Sequence, residues 1–136
     1  MILVICIDEN GGMLFNNRRQ SQDKVLRERL LSLVKDNKLM MNSFSKNQFT
    51  ENMANIVVID DFLERANPGD FCFVENKDIT PYLKYAEQII VYKWNRVYPF
   101  DMRFDISILE DDWQLCSKID FVGSSHDKIT EEVYKQ

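Results

Sequence analysis

The first seven residues constrain the fold more than any other stretch of the chain. Ile2-Leu3-Val4-Ile5-Cys6-Ile7 is an unbroken apolar run closed by Asp8-Glu9-Asn10-Gly11-Gly12. A strand with one face in water alternates apolar and polar residues, whereas a run without alternation needs cover on both faces. That is the position of a strand inside a mainly parallel sheet with helices on either side. The Asp, Asn and Gly residues that follow end it with turn chemistry. No basic segment precedes the run and no small-residue cleavage site follows it, so it reads as a first strand rather than a leader.

Short apolar runs recur at 39–41, 55–59, 71–74 and 88–94, with helical signals between them. Ser21 is expected to cap a helix whose Val25, Leu26, Leu30, Leu33 and Val34 follow helical spacing, with Asp36-Asn37-Lys38 ending it. Asn42-Ser43 predicts a cap for a brief helix through about Phe49, and residues 60–66 read as another helix. Asn67-Pro68-Gly69-Asp70 is a turn. Asp78 is expected to cap a helix through about Glu87, with Pro81 tolerated in its first turn. The C-terminal part differs in kind. Residues 113–121 and 129–134 alternate apolar and polar side chains around Gly123-Ser124-Ser125, the pattern of a half-exposed antiparallel hairpin.

The expected architecture is therefore α/β: a three-layer α/β/α arrangement around a central mixed, mostly parallel sheet. The strands at 2–7, 71–74 and 88–94 lie centrally and the hairpin lies at one edge. With 136 residues and neither linker nor internal repeat, the expectation is one domain over 1–136.

Composition removes several classes of function. No apolar run approaches the roughly 20 residues that span a bilayer, so no membrane partner is expected. A net charge of −5 argues against general nucleic-acid binding, which needs a surplus of Lys and Arg. Cys6, Cys72 and Cys116 are odd in number and far apart, and read as buried, reduced thiols of a cytoplasmic protein. The single histidine, His126, reads as an exposed member of a polar turn. Its neighbours Ser125 and Asp127 cannot form a triad from adjacent positions, since triad members converge from separate elements. No His/Cys spacing suits zinc, no dinucleotide glycine fingerprint follows Gly11-Gly12, and no Gly-Lys-Ser/Thr loop occurs, so neither metal nor cofactor is expected.

The order of elements resembles dihydrofolate reductase over most of the chain. Residues 3–12 resemble that family's first strand and following loop, and residues 81–91 resemble the helix leading into its next strand. Asp112-Trp113-Gln114-Leu115 and Glu131-Glu132-Val133-Tyr134 resemble its closing strands. The resemblance implies that fold, but the reactive positions depart from it. Glu75-Asn76 stands where the family has paired glycines for close approach of its cofactor. Asn42-Ser43-Phe44-Ser45 stands for Gly-Arg-x-Thr, leaving Lys46 as the nearby cation. The family's pterin-binding acid corresponds to Leu26, with Asp23 one turn earlier, and the chain is short between Phe49 and Phe71. The resemblance so modified implies neither tight NADPH binding nor folate reduction.

The polar run 16–23 is the candidate site, because open α/β sheets bind ligands at the carboxyl ends of their strands. Asn17, Arg18, Arg19 and Asp23 from this run, and Lys93, Asn95 and Arg96 from a later strand end, are expected to face one crevice that takes a small anion. Two alternatives remain at this stage. One is an enzyme using the same crevice, with Asp23 as acid or base and Arg18 and Arg19 as clamps. The other is an interaction module or homodimer anchored by an exposed Trp94, Tyr98 and Phe100 cluster.

Overall fold

The computed structural model describes residues 1–51 and 55–136. In chain order the elements are β1 (Ile2–Ile7), β2 (Gly12–Phe15), β3 (Arg18–Arg19), α1 (Lys24–Val34), β4 (Leu39–Met41), α2 (Ser43–Lys46), β5 (Ile56–Val58) and α3 (Phe62–Arg65). Then come β6 (Phe71–Phe73), a 3-10 helix (Thr80–Tyr85), β7 (Gln88–Lys93), β8 (Met102–Arg103), α4 (Ile108–Asp111), β9 (Gln114–Phe121) and β10 (Ile129–Lys135). Seven strands form the main sheet in the order β5-β4-β6-β1-β7-β10-β9, and β3-β2-β8 form a small second sheet.

The apolar run at 2–7 is central, as its pattern requires. It pairs in parallel with β6 on one side and β7 on the other, with Leu3 opposite both Cys72 and Ile89. Successive side chains of a strand point to opposite faces, so β1 serves two cores at once. Leu3, Ile5 and Ile7 pack with Ile89, Val91, Phe62 and Trp113 on one face. Ile2 and Val4 pack with Leu26, Leu30, Val34, Phe49 and Tyr92 on the other. β10 runs antiparallel to β7 and to β9, which places the hairpin at the edge.

Several boundaries differ from the sequence reading. Asp23, not Ser21, is the N-cap of α1: its carboxylate accepts from the Leu26 amide at 2.9 Å. The packed face of α1 runs through Leu26, Leu30 and Val34 with Leu31 beside them, while Leu33 is exposed. The segment after Asp78 is a 3-10 helix that stops at Tyr85, and the helix within 60–66 is the single turn Phe62–Arg65. The polar run 16–23 is not all loop. Asn16 and Asn17 both have positive φ, at 52° and 60°, and make the two-residue turn that pairs Phe15 with Arg18. Two consecutive left-handed residues match the twist of a tight hairpin, a geometry in which Asn costs little.

The C-terminal hairpin also departs from simple alternation. β9 is exposed along most of its length, but Ile129, Thr130, Glu131 and Glu132 of β10 are all buried. The two buried carboxylates have partners. Glu131 takes a two-point ion pair from Arg29 of α1, at 2.7 and 3.1 Å, and a hydrogen bond from the Tyr92 hydroxyl. Glu132 pairs with Lys93 at 2.8 Å and accepts from the Tyr134 hydroxyl. The thiols differ among themselves as well: Cys72 is buried, Cys6 half-buried, and Cys116 exposed rather than buried.

Leu30 is fully buried at the centre of the contact between α1 and the sheet. Leu30→Ala is expected to lower unfolding free energy by about 2–5 kcal/mol through lost transfer energy and a residual cavity. Leu33→Ala, on the exposed side of the same helix, is expected to cost less than about 1 kcal/mol. Urea denaturation of the two variants measures the difference directly, and comparable losses would show that α1 packs through a different face.

Candidate functional site

The carboxyl ends of the parallel strands are organised by two carboxylates. Asp8, immediately after β1, is buried and accepts from the amides of Asn10 and Gly12 at 2.8 Å each. Its other oxygen accepts from the Gln20 side chain at 3.2 Å and from the Tyr98 amide at 3.1 Å. One carboxylate therefore ties the loop after β1, the β3 arm and the loop after β7 into a single rim. Sequence reading took Asp8 only as a strand terminator.

Asp23 is the second. Besides capping α1, it accepts from both the amide and the hydroxyl of Ser125, each at 2.7 Å. Gly123 lies so close that a Cβ there would strike the Asp23 carboxylate and Ile129, which explains a glycine in this turn. Burial works against ionisation of Asp23, but the Ser125 and Leu26 amides and the Ser125 hydroxyl outweigh it and hold the pKa below the ordinary value. Asp23 is thus a fixed anion, a structural clasp between α1 and the 123–126 turn.

His126 corrects the sequence reading most sharply. It is buried rather than exposed, and its ring stacks on Trp94 at 4.8 Å between centroids. Its Nδ1 lies 2.6 Å from Ser125 Oγ, and its Nε2 lies 2.6 Å from the Tyr98 hydroxyl. Ser125 has one hydroxyl proton, which it donates to Asp23. Nδ1 must then carry a proton to donate to Ser125, leaving Nε2 to accept from Tyr98. The result is an ordered chain from Tyr98 through His126 and Ser125 to Asp23. Burial first, and then the Arg96 charge, depress the imidazole pKa against the opposing pull of Asp23 and Asp127. Adjacent Ser125 and His126 do act together here, but the carboxylate comes from Asp23, 102 positions from Ser125, a separation that nothing in the sequence signals.

The expected site residues divide into distinct settings. Arg19 reaches from β3 across the strand ends and makes a two-point pair with Glu75, at 2.9 and 3.2 Å. It also donates to the Phe44 carbonyl at 2.8 Å and lies over the Phe44 ring. Arg18 and Arg19 line a cleft of about 270 Å³ with Phe15, Gln20, Tyr98 and Pro99. Asn17 stands exposed at the hairpin tip. Lys93 and Asn95 instead line a separate cleft of about 180 Å³ with Ile7, Asp8 and Glu9. Asn95 is held there by bonds from its amide to the Lys128 carbonyl and Thr130 hydroxyl. Arg96 is exposed beside the His126 turn. Of the aromatic cluster expected at the surface, Trp94 is buried beneath His126, and Tyr98 and Phe100 are half-buried. Cys6 lies near Arg19, Glu75 and Asp23, and burial followed by the Glu75 charge pushes its thiol pKa up, away from nucleophilic use.

Among the described residues no group of three or more His, Cys, Asp or Glu is arranged to hold a metal ion, and no helix is long and apolar enough to cross a membrane. Neither a family model nor a curated protein matches the sequence. Structural comparison does find similarity. A dihydrofolate reductase from Enterococcus faecalis, complexed with NADP(H) and RAB-propyl, superposes with a TM-score of 0.66 at 10% identity, covering 98% of this chain and 94% of that one. The chain has a dihydrofolate reductase-like fold.

The buried imidazole gives a pH signature. The unfolded chain protonates His126 near 6.5 and the folded chain does so lower, so between those values the unfolded state binds more protons. This contribution is complete above about pH 6.5 and is lost as pH falls toward the folded value, whereas Asp23 loses its share only below its ordinary 3.8. Thermal midpoints recorded from about pH 7.5 down to 4.5 are expected to fall, and the slope should flatten in His126→Gln. Identical slopes in the two proteins would assign the pH dependence to another group.

Proposed function

We propose that this protein binds a small anion, carboxylate or phosphate, in the cleft between the β2–β3 hairpin and the Tyr98-Pro99 loop. The supporting observation is Arg18. It lines that cleft and, among the described residues, forms no ion pair, while its neighbour Arg19 is engaged by Glu75. A guanidinium offers five donors in a planar fork suited to a carboxylate or phosphate; Asp101, the acid beside this hairpin, is bound to the Asn16 amide. Phe15, exposed at the cleft mouth, and Tyr98 supply a flat apolar wall for the body of the ligand. The cleft's volume lies below the usual range for drug-sized ligands, which favours a compact molecule.

NADP(H), named for the structural neighbour, does not fit these residues. A pyrophosphate at the carboxyl end of β6 would meet the Glu75 carboxylate, with the Arg19 guanidinium already drawn across to it and the Asn42–Asn76 side-chain bond closing the space beside it. Displacing Glu75 would leave a nearly buried carboxylate without its partner, a change that costs several kcal/mol. The proposed function is therefore anion binding and not folate reduction with that cofactor.

Thermal-shift screening of carboxylate and phosphate metabolites, with inorganic phosphate as the reference anion, tests the site. Arg18→Ala is expected to weaken a stabilising anion by about 10- to 100-fold, the equivalent of the roughly 1.5–3 kcal/mol carried by a charge-assisted hydrogen bond. Glu75→Gln, which removes the internal competitor for Arg19, is expected to strengthen binding. A ligand whose affinity survives Arg18→Ala, or a complete absence of stabilising anions, would remove the proposal.

A further inference from the structure

β9 ends the main sheet, paired with β10 on one side only, so its outer edge offers backbone donors and acceptors to another strand. Unpaired edges of this kind template the addition of a further strand. The edge is also where apolar surface collects: Leu115 and Ile119 within β9, and Val122 just beyond it, are exposed by 49, 41 and 73%. The opposite edge strand, β5, has only three residues.

The geometry of β9 limits what can pair with it. The register with β10 is regular from Phe121 opposite Ile129 to Ser117 opposite Val133, and then slips so that Leu115 faces Tyr134 and Cys116 is the extra residue of a bulge. A bulge bends and twists its strand, which leaves Ser117–Phe121 as the pairable stretch. Its midpoint is Ile119. On either side of that midpoint stand opposite charges, Lys118 and Asp120, which project to one face of the sheet as the partners of Glu132 and Thr130. Asp120 also accepts from the Thr130 hydroxyl at 2.7 Å and lies 3.7 Å from Lys128, leaving its exposed carboxylate able to share a second cation.

We propose that a second copy of this chain adds antiparallel along Ser117–Phe121, on a two-fold axis through Ile119. In that register Ile119 faces Ile119 of the second copy, and each Lys118 faces an Asp120. Shifting by one residue either way sets Lys118 against itself or Asp120 against itself, and like charges directly opposite are destabilising. Moving the axis to Ser117 drives the pairing into the bulge. The charged residues that discourage promiscuous pairing at this edge thus select one self-complementary register. Because the contact rests on one strand from each copy, it belongs with small interfaces, and the dimer depends on concentration.

Sedimentation equilibrium on the full chain across micromolar to millimolar concentration is expected to show mass rising toward twice 16.1 kDa. Lys118→Asp, which places acids opposite one another, should return the protein to a monomer, and the exchange Lys118→Asp with Asp120→Lys should restore the dimer. Circular dichroism confirms that each variant is folded. In a Cys116→Ser background, Ile119→Cys should oxidise to a disulfide-linked dimer, an outcome that needs no charge change to be tolerated. A wild-type monomer throughout the range, a Lys118→Asp variant that dimerises as wild type does, or a folded exchange variant that stays monomeric would each overturn the proposal. So would failure of the Ile119→Cys protein to cross-link.

Discussion

The structure depends on a strand that belongs to two cores. β1 has neighbours parallel to it on both sides, and its alternate side chains belong to two separate apolar clusters. Neither helical layer can form without it: α1 closes over Ile2 and Val4, while α3 and α4 close over Leu3, Ile5 and Ile7. Burial on both faces also fixes register, because a one-residue slip would exchange the two sets. The end of β1 is therefore held in place, and Asp8 at that end can gather three loops into one rim.

Much of this was legible in the sequence because it rests on local patterning. An unbroken apolar strand, a helix with Leu26, Leu30 and Val34 in i, i+4 steps, and a Pro-Gly turn each carry their own signal. What was not legible depends on partners distant in the chain. Adjacent Glu131 and Glu132 look exposed in the sequence, yet both acids are buried because Arg29 and Lys93 come from other elements to neutralise them. His126 looks like a turn residue until Trp94, Tyr98 and Asp23 enclose its turn. The small β3–β2–β8 sheet was missed for another reason: β3 and β8 have two residues each and lie in polar sequence, without the apolar run that marks the equally short β4 and β6.

The candidate site shows the same division. Placing Arg18 and Arg19 at the strand ends followed from sequence order, but their separate fates did not. Adjacent residues of a strand point to opposite sides, so one guanidinium meets Glu75 while the other has no acid to meet among the described residues. Likewise, Lys93 and Asn95 sit at the expected strand end yet face Asp8 and Glu9 in a cleft of their own. A shared fold does not dictate this layout of charges, and function must be argued from the layout.

The Arg19–Glu75 pair has an evolutionary consequence. Its members lie 56 positions apart, and removing either alone strands a charge in a partly dehydrated crevice. A lineage that replaces this pair has to cross a less stable intermediate or change both codons in concert. Such coupling acts as a ratchet: once the pair is in place, loss of either member alone is selected against for stability, whatever the crevice binds.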